Sequence, residues 1–382
     1  MKRSEHRILT THVGSITRPP EMLELASYAK GPPEDPVEYR RRTRLAVESV
    51  VRRQAEIGLD IINDGEYGKE SWANYILKRI SGFEVRPQQI RSIEWLGRDR
   101  ERFADYLKET FPRALEGSPT EACVGPIRYE DRASIATAIE DLQAACQAVP
   151  AAETFMTAVA PASTAYDGVN EYYPTERDYV FAIAEALREE YLAIHRAGLL
   201  LQVDDAVLAN MYDTLVQRSP ERYREWAELR VAALNHALRG IPEERVRYHI
   251  CFGSWHLPHI ADAELKDILD LILTVRAGAY SIEAANARHE HEWRVWQDVK
   301  LPEGKILIPG VITHHTVTVE HPRLVADRIV RFANLVGREN VIAGADCGFA
   351  QVDTFQRAHP TIMWAKFEAL VAGARIASRE LW

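Results

Sequence analysis

Four side chains in the second half of this 382-residue chain are of the types that bind a soft divalent metal: His249, Cys251, Glu283 and Cys347. His249 and Cys251 stand two apart in the run Arg-Tyr-His-Ile-Cys-Phe-Gly at 247–253. On a strand, residues two apart share a face. An imidazole nitrogen and a sulfur would therefore project together, and nitrogen with sulfur is the ligand set Zn²⁺ prefers. Cys347 closes another apolar run, and Glu283 a third. His249, Cys251 and Cys347 then make a zinc set, with Glu283 as the candidate fourth ligand. Closed four-ligand sites are usually structural, whereas catalytic ones keep a position open. A weakly held carboxylate serves both ends, ligating at rest and yielding to an incoming thiol. A thiol on zinc is deprotonated outright and becomes a nucleophile at neutral pH.

Such a set needs a scaffold that points several chain segments at one place. Short apolar runs at 8–15, 60–66, 154–160, 199–205, 246–252, 279–283, 305–312 and 340–347 read as strands. Amphipathic helices are expected at 37–57, 176–197, 220–238, 261–273, 321–336 and 355–378. Strands alternating with helices mean a parallel sheet, and eight unbroken units predict a single α/β domain over 1–382, a (β/α)₈ TIM barrel. No glycine-rich dinucleotide or phosphate fingerprint follows any strand, which argues against an open doubly wound sheet. Residues 82–150 are charged and aromatic, without the alternation, and include a helix at 132–149. They read as an inserted subdomain or lid between the second and third strands. In this barrel the active site lies at the strand C-termini. Those ends carry His12 and Ser15, Asp64 and Glu66, Ser163, Asp204, His249 and Cys251, Glu283, His314 and His315, and Cys347.

The formal net charge of −9 gives no overall attraction to nucleic acid or anionic membrane. No apolar run is long enough for a transmembrane helix, and the charged N-terminus lacks a signal-peptide core. Four cysteines in so long a chain do not make a disulfide framework and fit a reducing, cytoplasmic setting. Cys123 and Cys146 have no ligand-type neighbours and read as plain thiols. The run His289-Glu290-His291-Glu292 lacks the spacing that puts two histidines on one helix face and reads as a solvated loop. His256 and His259 also fall to a loop. Asp205 would point away from Asp204 and suits a helix cap. Tyr166, Asp167, Asn170, Tyr172, Tyr173 and Tyr179 after the third strand, and Trp72 and Tyr75 after Glu66, are placed to touch a substrate. Arg18 is a candidate partner for an anion. A homo-oligomer is compatible with the chain.

Seven pieces, in order along nearly the whole chain, carry a resemblance. They are Thr10-Thr11-His12-Val13-Gly14-Ser15, Asp64-Gly65-Glu66, Gln202-Val203-Asp204, His249-Ile250-Cys251, Ile282-Glu283, Gly310-Val311-Ile312-Thr313-His314-His315 and Asp346-Cys347-Gly348. The chain resembles the C-terminal catalytic barrel of cobalamin-independent methionine synthase, and more closely that family's short single-barrel members, which are related to epoxyalkane:coenzyme M transferase. The resemblance implies His249, Cys251, Glu283 and Cys347 as zinc ligands. It implies Gly14, Ser15 and Glu66 as the positions holding the amino-acid part of homocysteine, and Asp204 as the anchor of its amino group. His315 is the implied proton donor, with His314 as its neighbouring alternative. The implied reaction is alkyl (methyl) transfer from a donor to a small thiol. The full-length synthase's additional N-terminal barrel has no counterpart here. The family's folate platform, a Trp after the third strand, is missing from Met156–Pro161, so the resemblance carries thiol alkylation further than it carries any particular donor.

Two other readings stay beside it. An epoxide-opening enzyme acting on a sulfonated thiol calls for a basic pocket, whereas Asp64, Glu66 and Asp204 suit an ammonium group. A zinc hydrolase would use metal-bound water, and two thiolates on the metal weaken it for that purpose. A binding protein with a structural zinc is the non-enzymatic alternative.

Overall fold

The computed structural model describes residues 1–25, 33–166, 168–352 and 357–382. Eight parallel strands form one sheet: β1 (Leu9–Thr10), β2 (Ile61–Ile62), β3 (Glu153–Val159), β4 (Leu200–Asp205), β5 (Val246–Ile250), β6 (Ala279–Ile282), β7 (Ile306–Ile312) and β8 (Ile342–Ala345). Its order, β1-β8-β7-β6-β5-β4-β3-β2, leaves β1 and β2 as the two ends of the ladder. Backbone and side-chain hydrogen bonds together close that seam. Asp60 N donates to Thr10 O at 3.2 Å, Thr10 N to Asp60 Oδ2 at 2.9 Å, and Thr11 Oγ1 to Ile61 O at 3.0 Å. The result is the (β/α)₈ barrel that the alternation predicts. β1 and β2 are much shorter than their apolar runs, whereas β3, β4 and β7 keep nearly all of theirs; the residues beyond the last ladder bonds lead into the mouth.

Alternate strand residues point inward. Leu9, Ile61, Phe155, Leu200, Ala279, Ile306, Ile308 and Ile342 meet there in one buried cluster. Above them lies a buried cation, Arg247. It stacks over Phe155 at 4.0 Å and donates to Thr11 Oγ1 at 3.0 Å and His12 O at 2.8 Å. The floor of the barrel is therefore apolar and its middle layer polar.

Helices surround the sheet for local reasons as well as packing ones. Pro36–Ile57 starts at Asp35, whose Oδ1 accepts from Val37 N and Glu38 N at 3.0 Å, and stops at Gly58 with φ 91°. Arg132–Cys146 packs between it and Glu176–Arg196. The last helix is Pro360–Leu381; residues 355–356, where it was expected to begin, lie outside the described residues.

Two strands between β2 and β3 and one just after β3 make a second, small sheet. Phe83–Arg91 pairs antiparallel with Ser118–Cys123, which pairs in parallel with Val169–Asn170. The connection between the first two of these strands lies against the barrel mouth. Thr214 Oγ1 donates to Glu94 O at 2.6 Å, Arg98 Nε to Asp213 Oδ1 at 2.7 Å, and Tyr106 OH to His256 O at 2.9 Å.

Candidate active site

The ladder brings the ends of β4, β5 and β6 side by side, with Asp204 opposite His249 and His249 opposite Ser281. Cys251 follows the last residue of β5 and Cys347 lies two beyond β8. The ligand atoms of His249, Cys251 and Cys347 all lie within 4.8 Å of one another. The two sulfurs are 3.2 Å apart, and Gly253 N donates to Cys251 Sγ at 3.3 Å. His249 Nδ1 contacts Ser281 Oγ at 3.3 Å, while its Nε2 is buried without a hydrogen-bond partner. A buried ring nitrogen left unpaired is costly, and beside two sulfurs it fits a metal ligand. The Cys347 thiol is held well below its ordinary value, chiefly by the hydrogen bond from Cys251, with His249 alongside.

Glu283 is buried next to this trio, and its carboxylate is held elsewhere. Oε1 accepts from Phe252 N at 3.0 Å and Oε2 from Asn286 Nδ2 at 2.8 Å. Burial pushes its carboxyl well up, and the charges of Asp346 and Cys347 push it further. Asp346 explains its own place beside Cys347: its Oδ1 accepts from Ala284 N and Ala285 N, both at 2.8 Å, and so pins the loop that carries Glu283. A Cβ on Gly348 would lie 2.0 Å from Ser15 Oγ, so glycine there lets the β1 and β8 ends close up.

The opposite wall is acidic. Glu66 adopts φ 61°, uncommon for a residue with a side chain, and its Oε1 accepts from Thr157 Oγ1 at 2.6 Å. Gly14 backs this contact: a Cβ there would meet Thr157 Cγ2 at 2.7 Å and Glu66 Oε1 at 3.0 Å. Lys69 Nζ donates to Thr157 O at 2.6 Å and Thr157 Oγ1 at 2.7 Å, which places a buried cation behind Glu66. Asp204 Oδ1 accepts from Gln202 Nε2 at 2.8 Å. Its carboxyl is pushed up to about 7 by burial and then by Glu66.

Ser15, Glu66, Asp204, His249, Cys251 and Cys347 all line one cavity. Trp72, Trp95, Tyr166 and Trp255 line it too, and Trp72 packs against the cluster that Ala206, Cys251 and Cys347 form. No Lys or Arg is among the described lining residues. His314 and His315 do not line it. His315 Nε2 is 4.0 Å from Glu283 Oε2, on the Glu283 side of the trio. His314 is fully buried with both ring nitrogens unpaired, and burial holds it well below the ordinary histidine value.

Several expectations change. Arg18 donates to the carbonyls of Glu66, Lys69 and Ala350, so it braces loops instead of facing an anion. The run at 289–292 is no solvated loop throughout. His289 and Glu292 are buried, with His289 Nδ1 2.8 Å from Glu292 Oε2 and Nε2 3.1 Å from Asp262 Oδ2. His259 stands edge-on to His315 with centroids 5.1 Å apart. Asp205 accepts from Ser163 Oγ at 2.9 Å and Tyr248 OH at 3.0 Å as well as from Leu208 N at 3.3 Å. His12 faces the helix ring, with Nε2 2.7 Å from Gln54 Oε1. Tyr75 reaches Glu190 Oε1 at 2.6 Å in the barrel wall. Of the tyrosines named after β3, Tyr166 reaches the cavity, and Asp167 lies outside the described residues. Sequence reasoning missed Thr157, Lys69, Trp95, Trp255, Gln351 and Arg357. A buried Lys three residues after Glu66 was a readable signal; the others depend on folding.

Comparison with known proteins agrees with this geometry. The chain is 23% identical over 376 residues to a methionine synthase of Thermococcus kodakarensis, covering 97% of this chain and 94% of that one. It is 22% identical over 387 residues to a methionine synthase of Saccharolobus solfataricus, covering 97% and 95%. The fold matches that of a B12-independent methionine synthase from Shewanella sp. W3-18-1, solved with selenomethionine, with a TM-score of 0.74 over 98% of this chain and 99% of that one at 17% identity. The model of the cobalamin-independent synthase catalytic domain matches residues 161–362, more than half of the chain, and the chain belongs to that family.

Proposed function

We propose that this protein is a zinc-dependent methyltransferase that alkylates a small amino-acid thiol, homocysteine in the first instance, by a cobalamin-independent route giving methionine. One observation carries the reading: His249, Cys251 and Cys347 converge at a cavity whose opposite wall holds Glu66 and Asp204. His249, Cys251 and Cys347 would hold Zn²⁺, with Glu283 as the fourth ligand at rest. Bound there, Zn²⁺ would supply a thiol in its deprotonated, nucleophilic form at neutral pH.

The chain's own residues do the rest. Asp204 and Glu66 bind the ammonium end of the thiol and turn its sulfur toward the cysteines. Ser15 and the Gly14 backbone hold the carboxylate end. Lys69, through Thr157, fixes the Glu66 carboxylate. Glu283 would be the ligand that gives way to a substrate thiol, its carboxylate then resting on Phe252 N and Asn286 Nδ2. Trp72 excludes water above the sulfurs and strengthens electrostatic contacts beneath it. His315, with His314 behind it, is the candidate donor for a leaving group that needs a proton; burial, with His259 and His256, holds it down to about 3, so the role requires the charge of a bound substrate to raise it. The segment around Trp95 is the lid, tied down through Asp213 and Thr214. A cavity wall with acids and no cation suits an ammonium better than a sulfonate, which favours the amino-acid thiol over an epoxide-opening reaction. Relatives of matching length are named methionine synthases, which supports the methyl transfer.

The test is metal analysis of the purified protein, joined to an assay of homocysteine with a panel of methyl donors. Stoichiometric zinc and methionine formation that a chelator abolishes are expected. Activity surviving complete metal removal would sink the proposal.

A further inference from the structure

Two loops carry the two cysteines, and one side chain ties them together. Arg357 Nε donates to Gln351 Oε1 at 2.9 Å, and Nη2 donates to Ser254 Oγ at 3.1 Å. Its guanidinium lies 4.7 Å from the Trp255 ring centroid, and its backbone N donates to Phe349 O at 3.1 Å. Ser254 and Trp255 follow Cys251, and Gln351 follows Cys347. With its oxygen fixed by Arg357, Gln351 has only its amide nitrogen to turn the other way. That nitrogen donates to Gly348 O and to Cys347 Sγ, the latter at 3.6 Å. Arg357 is 3% exposed, and a guanidinium so buried needs countercharge. Burial holds it down to about 10, and the charges of Cys347 and Cys251 oppose that shift.

We propose that Gln351, oriented by Arg357, is a positioning residue of the two-cysteine centre. Its amide N–H fixes the direction of Cys347 Sγ, and the guanidinium behind it supplies the positive charge that lets thiolates accumulate in a buried place. Two cysteine sulfurs and an incoming thiolate bring three negative charges to one metal of charge +2. The surplus is one negative charge, which a single buried arginine offsets. This inference rests on the metal reading above. Its chemistry is that of outer-shell groups at metal sites, which orient the ligands and tune their donation.

The experiment loads the full-length protein with Co²⁺ in place of zinc and reads the thiolate-to-cobalt charge-transfer band and resistance to a chelator. An N–H donated to sulfur withdraws electron density, so its loss should move the band to lower energy. In Gln351→Leu we expect that shift together with metal retention weaker by about 10-fold or more. Arg357→Met should behave alike, because Gln351 loses its anchor. Arg357→Lys, which keeps the charge without the fork, should recover chelator resistance but not the band position. A folded Gln351→Leu protein with the parent's band and the parent's retention overturns the proposal. If Gln351→Leu does not fold, Gln351→Met keeps the length of the side chain and removes the N–H without adding a charge. Alkylation of the metal-free protein by iodoacetamide at neutral pH then reads the contact directly. Slower alkylation of the reactive cysteine is expected, and an unchanged rate overturns the idea. Should the parent protein bind neither cobalt nor zinc, the metal reading fails by itself, and the alkylation arm still decides for or against the N–H to sulfur contact.

Discussion

Cys123 lies as far out of water as Cys251 and Cys347 do, with Cys146 only partly so, yet the two pairs are chemically unlike. Cys123 is buried and reaches only the Gly125 carbonyl, at 3.5 Å, while burial pushes its thiol up. Cys146 is half-buried at the end of its helix, and burial pushes its thiol to about 12. Cys251 and Cys347 are 3.2 Å apart, accept N–H groups from Gly253 and Gln351, and have a His249 nitrogen beside them. Burial alone therefore makes a thiol inert. Convergence of donors and a partner nitrogen makes it a ligand. The same lesson separates the mouth of the barrel from its walls, where Glu190 is buried too but is satisfied by Tyr75, Tyr129 and Arg79.

The strongest way to break the comparison is to exchange the pairs' roles. Cys347→Ala and Cys251→Ala should each strip the metal and lower kcat/KM for homocysteine by more than about 100-fold, beyond the range of outer-shell changes. Cys123→Ser should leave both metal content and kcat/KM close to the parent's. Metal analysis and steady-state assays on the three proteins check this, and equal losses in all three would dissolve the distinction.

The acidic wall gives a sharper, pH-dependent test. The Asp204 carboxyl is pushed up to about 7, first by burial and then by Glu66. Below that value it is protonated and offers no charge to an ammonium; above it the carboxylate is present. KM for homocysteine should therefore fall as pH rises through about 7 and then level off. Asp204→Asn should flatten the profile and raise KM by roughly 10-fold or more, the worth of one hydrogen bond to a charged group. A thiol of equal length without the amino group should show neither effect. The sign for folding is opposite. A raised carboxyl favours the folded state when protonated, so this contribution is complete at low pH and disappears as pH climbs through about 7. Urea denaturation across that range should show Asp204→Asn lacking the decline.

How much of this was legible beforehand follows from what each residue's signal consists of. The barrel was readable because eight apolar runs alternate with amphipathic helices, and period and length survive in one dimension. His249 and Cys251 were readable because strand alternation fixes their shared direction. Cys347 was readable because it ends a run whose strand must face the same mouth. Gln351 and Arg357 were not readable, since their meaning lies in a hydrogen bond across a loop and no periodicity marks them. Trp95 was hidden for a related reason: it comes from the segment between β2 and β3, whose position over the mouth depends on Arg98 finding Asp213. Arg18 misled because a cation near a mouth looks like an anion site until its donors are traced to carbonyls. The strand ends were overextended because composition continues past the last ladder bond.

Lys69 tests the acidic wall more gently. Its ammonium reaches the Glu66 carboxylate through Thr157, with Nζ 2.7 Å from Thr157 Oγ1 and that oxygen 2.6 Å from Glu66 Oε1. Lys69→Met keeps a side chain of similar length and removes the charge, which lies 4.5 Å over the Tyr75 ring centroid. It should raise KM for homocysteine several-fold, about 1 kcal/mol, while kcat stays within about two-fold. A loss confined to kcat would place Lys69 in the chemical step and not in binding.

The smallest effect expected is at Cys146, and it is the cleanest control on the opening comparison. Cys146 closes Arg132–Cys146 and packs against the core as a small apolar group. Cys146→Ala removes one sulfur from a half-buried position, which costs about 1 kcal/mol or less in stability. In a chain of this size that moves Tm by only about 2 °C. Neither metal content nor the alkylation rate of the Cys251–Cys347 pair should change, because the charge that reaches Cys146 is that of Asp64, which does not line the cavity holding that pair. If Cys146→Ala instead slowed that alkylation, a path through the helix ring would couple the two pairs, and burial would no longer be enough to explain why one of them is inert.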